Sequence, residues 1–261
     1  MNDRPSTGAS WNRILGRWDE DQHRSDYRAA TAALAALAAR YAALGRPLRH
    51  DHARDWEPAQ VLLELQRLST AAAAAQRPIV SALDLGGGNS PLAYLLAERG
   101  YQVIVVDPDR TVVEAIRKNS RELHWGERLT AVAPEEGRLP FFDATFDCVL
   151  CISVIEGILR RDRPRFWAEI RRVLRPGRSL LLTFDFGPDA RLLGDPPADL
   201  AAITADLVAP SGLQLCGEPH AAPVYDPETG PPVQTTVPTV DGLGRCRIAY
   251  TFGTIHLQRP E

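Results

Sequence analysis

The sequence has no apolar run of membrane-spanning length: the stretch from Ala29 to Leu44 is mostly alanine and contains Arg40. The N-terminus, Met1-Asn2-Asp3-Arg4-Pro5, lacks the apolar region of a signal peptide, so a cytoplasmic location is expected. Excess positive charge is also missing. With 30 Lys and Arg against 33 Asp and Glu, the formal net charge is -3, which argues against a nonspecific nucleic-acid or anionic-membrane partner. Cysteine is sparse, at four, and only Cys148-Val149-Leu150-Cys151 has the spacing of a redox or zinc pair. That pair sits in an apolar run that reads as a buried strand, where residues three apart point to opposite faces, so both are expected in the core and no metal site is assigned. Cys216 and Cys246 are isolated.

What is present is one informative stretch, Ser81-Ala82-Leu83-Asp84-Leu85-Gly86-Gly87-Gly88-Asn89-Ser90-Pro91, in a chain of 261 residues that suits one α/β domain with appendages. It reads as a buried strand ending in a carboxylate, then glycines free to take sharp backbone angles, then a helix that Asn89 or Ser90 caps and Pro91 begins. A dinucleotide turn would run G-x-G-x-x-G or G-x-G-x-x-A over a pyrophosphate. Here the third small position is Pro91, and Asp84 places a negative charge where a diphosphate would be repelled and an amino-acid ammonium attracted.

From Ile79 the pattern alternates strand and helix, the signature of a parallel sheet with crossover helices. Strands are expected at Ile79 to Leu85, Tyr101 to Val106, Leu129 to Ala133 and Phe146 to Ser153. Helices are expected at Pro91 to Glu98, Thr111 to Arg121 and Arg163 to Leu174. Asp107 ends the second strand, nineteen positions after Gly88, near the offset at which an acid meets a ribose; the competing reading is a cap for the helix near Thr111.

Asp84-x-Gly86-x-Gly88-x-Ser90 resembles motif I of the class I S-adenosylmethionine-dependent methyltransferases, with Ser for the last Gly. Further stretches carry the same resemblance in the same order. Leu139-Pro140-Phe141-Phe142-Asp143-Ala144-Thr145-Phe146-Asp147 resembles the family's L-P-F-x-D-x-x-F-D, Val154-Ile155-Glu156-Gly157 its motif ending in E-H with Gly for His, and Arg172-Val173-Leu174-Arg175-Pro176-Gly177 its R-V-L-K-P-G turn. The resemblance covers Ile79 to about Phe186. It implies a Rossmann-like, doubly wound, mainly parallel sheet whose last strand is antiparallel. It also implies S-adenosyl-L-methionine as cofactor, held by Asp84, Gly86, Gly87, Gly88 and Asn89, by Asp107 and Pro108, by Glu135 or Glu136 at the adenine, and by Cys151, Ile152 and Ser153 at the methionine.

Around this domain, residues 1–78 read as a helical extension with helices over Trp11 to Tyr27, Tyr27 to Leu44 and Trp56 to Ala75, serving either as packing on the core or as a lid. After a helix at Ala198 to Val208 and a strand at Leu213 to Gly217, residues 218–241 form a Pro-rich insertion, either disordered or a flap. Arg247 to His256 is the closing strand. Asp185 and His220 are the candidate acceptor-side bases, with His124 as a weaker third. The expected partners are a small-molecule acceptor and a second copy in a homodimer, with no nucleic acid and no membrane. The absence of Asn-Pro-Pro-Tyr at the fourth strand end disfavours base or amide nitrogen as acceptor. Competing functions are a scaffold that binds the cofactor without methyl transfer and, less favoured because of Asp84 and Pro91, a nicotinamide oxidoreductase.

Overall fold

A computed structural model describes residues 11–17, 21–51, 54–135, 137–187, 189–192, 194–225, 228, 230–238 and 244–261. Its elements, in chain order, are β1 (Arg13–Ile14), α1 (Ser25–Ala43), α2 (Trp56–Ala74), β2 (Ser81–Leu85), α3 (Pro91–Glu98), β3 (Gln102–Val106), α4 (Arg110–Glu122), β4 (Leu129–Val132), β5 (Phe146–Ile152), α5 (Arg163–Val173) and β6 (Leu174–Phe186). A composite helix follows, α6 (Leu200–Ala202) passing through a π-helical segment, Ile203–Val208, into α7 (Ala209–Ser211); then come β7 (Gln214–Leu215), β8 (Val233–Pro238) and β9 (Arg245–Gln258).

The sheet runs β1-β9-β6-β5-β2-β3-β4, with β2 to β6 parallel and β9 antiparallel to β6. From β2 the chain winds outward to β3 and β4, then returns to the other side as β5 and β6. The winding therefore reverses between β2 and β5, and in open α/β sheets ligands bind beyond the strand ends at that reversal. Local chemistry sets the boundaries. Pro91 occupies the first turn of α3 after Ser90, and Gly100, at φ 93, lets the chain leave the helix in the left-handed region.

Side chains alternate between two buried layers. Cys148, Leu150 and Leu181 face α1, α2, α3 and α4, whereas Val149, Cys151, Leu180 and Leu182 face α5 and the helix carrying Ile203 and Leu207. The two thiols of the C-x-x-C spacing thus lie in opposite layers, both fully buried, and burial pushes both well above the ordinary thiol range.

Two expectations change. The helix expected over Trp11 to Tyr27 is replaced by the short strand β1 and a turn, with α1 starting only at Ser25. Trp18 of that stretch lies outside the described residues. The reason is tertiary: β9 offers a strand edge, so Arg13 and Ile14 pair with Thr254 and Gly253, and Leu15 donates its N–H to Phe252 O at 2.9 Å. In the Pro-rich insertion, β8 is an ordered strand paired with Arg245 to Tyr250 of β9, which extends the closing strand beyond its expected start.

Candidate active site

The strand-to-helix turn after β2 has the shape its glycines permit. Gly86 and Gly88 have φ of 63 and 61, and a Cβ on Gly86 would lie 2.5 Å from a Val154 methyl. Gly87 lies against Asp84, whose Oδ2 would be 2.1 Å from an added Cβ. Asp84 itself is buried beneath the turn, and its Oδ1 has no hydrogen-bond partner among the described residues. Burial, reinforced by the Asp107 charge, raises its carboxyl to about 7.

Asp107 ends β3 beside this turn. Its Oδ2 accepts from Gly88 N–H at 3.1 Å and its Oδ1 from Asp109 N–H at 2.9 Å. The α4 cap is Asp109, which accepts from Thr111 N–H at 2.8 Å, so capping is not the task of Asp107. Across the switch point, Leu85 pairs with Cys151, and the chain leaves β5 through Ile152 and Ser153. Ser153 adopts φ 50, a left-handed conformation that non-glycine residues hold only when their surroundings enforce it. Its N–H donates to Thr183 O at 3.2 Å.

The segment before α2 closes over this edge. Arg49 N–H donates to Asn89 O at 2.7 Å, and Asn89 Nδ2 donates to Pro47 O at 3.3 Å. Between the segment and the turn is a cavity of about 170 Å³ that touches Arg49, Arg54, Glu57, Asp84, Gly86 and Ser153. Arg54 joins the layers: its guanidinium donates to Ser153 Oγ at 2.7 Å, Asp185 Oδ1 at 2.6 Å and Glu57 Oε2 at 3.0 Å, and it lies 5.1 Å from the centre of the Phe252 ring. Thr183 Oγ1 donates to Glu57 Oε1 at 2.6 Å, Ser153 Oγ also donates to Glu57, and Asp185 N–H donates to Glu156.

One guanidinium therefore faces two buried carboxylates, Glu57 and Asp185, with the buried Glu156 carboxyl adjoining Asp185 through its backbone N–H. Burial and the neighbouring Asp185 charge raise Glu156 to about 8. Asp185 rises to about 6, because burial and Glu57 outweigh the pull of Arg54. Glu156 is carried on a short 3₁₀ turn, Ile155–Gly157, which buried Arg163 anchors by donating to Ile155 O at 3.1 Å and Ile158 O at 3.1 Å.

The structure gathers Asp84, Gly86 to Asn89, Asp107 and Cys151 to Ser153 at one sheet edge, with Cys151 contributing backbone while its thiol faces the core. Asn89 spends its side chain on Pro47 and on Tyr94, whose hydroxyl donates to Asn89 Oδ1 at 2.7 Å. Pro108 is exposed. Glu135 is exposed in a separate cavity with Arg110, Arg138, Phe142 and Arg165; Glu136 lies outside the described residues. Asp185 and His220 are not brought together. Asp185 faces α2, whereas the His220 ring packs 5.9 Å from Phe184, which points to the other face, and its Nε2 donates to Thr254 O at 2.7 Å. Burial lowers the His220 pKa, favouring the neutral ring. His124 follows α4, whose chain next enters the start of β4, so it lies at the opposite edge of the sheet.

The residues missed by pattern reading are Arg54, Glu57 and Thr183. A signal existed: Glu57, Gln60 and Glu64 recur at helical spacing on the face that also carries Val61 and Leu65, and all five are buried. Buried charges at core positions require partners, and that requirement marks a polar site.

Residues 83–182 match the family model described as a methyltransferase domain. Among curated proteins, the chain is similar to the ubiquinone/menaquinone biosynthesis C-methyltransferase UbiE of Haemophilus ducreyi, 31% identical over 104 residues, which are 38% of this chain and 39% of that protein. It is likewise similar to an uncharacterized methyltransferase of Mycobacterium tuberculosis, 34% identical over 103 residues, 40% and 39% of the two chains. The chain thus spans about two fifths of the length of these relatives. Among solved structures, the [4+2]-cyclase SpnF shares the fold over 94% of this chain and 98% of its own, with a TM-score of 0.54 at 15% identity. Residues 83–182 are thus similar in sequence to methyltransferase domains, on a fold shared with solved structures.

Proposed function

We propose that this chain transfers a methyl group from S-adenosylmethionine to a small-molecule nucleophile bound between the ends of β5 and β6 and the start of α2. The observation that carries the reading is Asp84: a buried carboxylate oxygen without a partner among the described residues, lining a cavity whose floor is a glycine turn that side chains would fill. Such a site suits a ligand with a cationic amino-acid end and disfavours a diphosphate. In this reading Asp84 and the backbone of Gly86 to Gly88 hold the amino-acid part, Asp107 the ribose, and Ile152 with Ser153 the methionine side. The cofactor supplies a sulfonium already activated for methyl donation. The protein's work is alignment of the acceptor and exclusion of water, and alignment alone is worth roughly 7–11 kcal/mol.

We further propose that the described part of the extension before the parallel sheet acts as a lid, its segment through Arg49 and Arg54 clasped to Asn89 and Ser153. Transfer to carbon, as the UbiE name states for that relative, is the second reading for the attacked atom; the position of the product methyl separates it from transfer to nitrogen or oxygen.

Calorimetric titration with S-adenosylmethionine, S-adenosylhomocysteine and NAD tests the cofactor. Saturable binding of the two sulfur nucleotides and none of NAD is expected, with at least a tenfold loss in Asp107→Ala, checked for folding by its thermal transition. Binding of NAD alone, or no binding by a folded, ligand-free sample, would overturn the proposal.

A further inference from the structure

Arg54 is placed as a ligand would be. Its side chain is 33% exposed, while the groups it satisfies are closed off behind it, with Glu57 at 1% and Asp185 at 6% side-chain exposure. Around that one guanidinium stand the carboxylates of Glu57 and Asp185, the Ser153 hydroxyl and the face of Phe252. Aromatic faces with carboxylates are a general recognition surface for organic cations. The charge is also out of balance. Glu156 adjoins Asp185 through the Asp185 N–H, and its Oε2 is buried with no partner among the described residues. Among the described residues Arg54 pairs with two buried carboxylates, Glu57 and Asp185, in a setting where unpaired charge is costly. Arg54 lies two residues before the first residue of α2, outside the helix that carries Glu57.

We infer that the box formed by Glu57, Asp185, Ser153 and Phe252 is the acceptor subsite, that it selects an organic cation with an amine to be methylated, and that Arg54 is a resident stand-in which the acceptor displaces. This rests on the methyltransferase reading above. An ammonium entering the box would give one proton to the Asp185 carboxylate, whose elevated pKa suits that exchange. The freed nitrogen lone pair forms the new N–C bond as the sulfonium C–S bond breaks and its electron pair stays on sulfur. The acceptor leaves as the methylammonium, S-adenosylhomocysteine is the other product, and the proton passes from Asp185 to water.

Two measurements on the full chain test the inference. In the first, arylethyl compounds that differ only in the terminal group, an amine, an alcohol, a carboxylate and a β-diketone, are supplied with S-adenosylmethionine and the methylated product is located by mass spectrometry. Methylation of the amine at least tenfold faster than of the others is expected, with the amine's KM raised tenfold or more in Asp185→Asn and cofactor affinity unchanged. In the second, Arg54→Ala and the wild-type chain are titrated with methylguanidinium against potassium at equal ionic strength. A saturable rise in the variant's Tm, several-fold weaker in the wild type, is expected with methylguanidinium alone. If the variant does not fold, Arg54→Gln, which also removes the charge, takes its place, and the expected readout is the same cation-specific rise.

Preferential methylation of the alcohol or diketone, or equal effects of potassium and methylguanidinium, would overturn the inference. Because the second measurement needs no cofactor, a chain that fails to bind S-adenosylmethionine yet shows cation-specific stabilisation would sink the methyltransferase reading and leave the cation box standing.

Discussion

Gly87 and Gly88 are neighbours in sequence but pose different physical problems. A methyl on Gly88 meets only the Arg49 side chain at 3.9 Å, so its cost is the left-handed φ of 61, roughly 1–2 kcal/mol. A methyl on Gly87 drives into the whole carboxyl group of Asp84, with approaches of 2.1, 2.3 and 2.7 Å to its atoms, so the buried Asp84 side chain must shift to admit it. Gly87→Ala is therefore expected to destabilise by at least about 2 kcal/mol more than Gly88→Ala, read as a difference in urea midpoints, and to weaken cofactor binding more. Equal costs would show that Asp84 yields. Glu156 sets a second expectation, in pH. Its carboxyl rises from 4.5 in an ordinary setting to about 8 in the fold, so the folded state holds a proton that the unfolded chain has released. Stability from this group is full below about 4.5 and is lost as pH climbs to about 8. Asp185, raised to about 6, works in the same direction at lower pH. Between pH 6 and 8 Glu156 should cost the ligand-free chain roughly 2–3 kcal/mol, on the order of 1.4 kcal/mol per pH unit, and Asp84, raised to about 7, adds a similar slope between pH 6 and 7, so Glu156→Gln should flatten the slope between pH 7 and 8 and about halve it below pH 7. An unchanged slope in the variant would place the titration elsewhere.

Among the elements, α2 carries the site, and Asp21 holds it in place. That carboxylate is 2% exposed and accepts from Trp56 Nε1 at 2.8 Å, Gln60 Nε2 at 2.9 Å, and Arg13 and Arg24 at 3.0 Å each. Burial works to raise its pKa, but the charge and hydrogen bond of Arg13, with the bonds from Trp56 and Arg24, outweigh burial and lower it. Asp21→Ala leaves two buried α2 donors unsatisfied. A loss of roughly 3–5 kcal/mol is expected by chemical denaturation, together with weaker closure over the glycine turn, read as faster amide exchange at Arg49. A loss below about 1 kcal/mol would mean that water replaces Asp21. α3 and α4 were legible to within a residue because Pro91, Gly100 and the apolar spacing act locally. The span from Trp11 to Tyr27 was not, because its amphipathic spacing suits a helix in isolation while β9 supplies strand partners more than two hundred residues away.

For the whole molecule, α1 and α2 share one hydrophobic layer with the sheet. Leu34, Tyr41, Trp56, Leu62 and Leu65 are all buried in the cluster that also holds Val105, Leu150 and Phe252. At roughly 1.5–3 kcal/mol for each such side chain, these five match the roughly 5–15 kcal/mol net stability of a typical domain. A chain shortened to residues 79–261 is expected to lose cooperative thermal unfolding and to bind apolar dyes. A sharp transition in that fragment, near the full chain's Tm, would show that the extension is dispensable for folding. Among the described residues no helix is long and apolar enough to cross a membrane.

The cofactor half of the site was readable because it is built from consecutive backbone. A strand, three glycines and an acid at each of two neighbouring strand ends specify their own geometry, since φ freedom, strand length and helix starts are local properties. The acceptor half was not, because it is made where distant segments meet. Arg54 and Glu57 come from before the parallel strands, Ser153 and Asp185 from two strand ends, and Phe252 from the last strand. Their charges acquire meaning only when packing removes water and leaves one guanidinium between two buried carboxylates, which is a property of the folded interior and of no single stretch of chain.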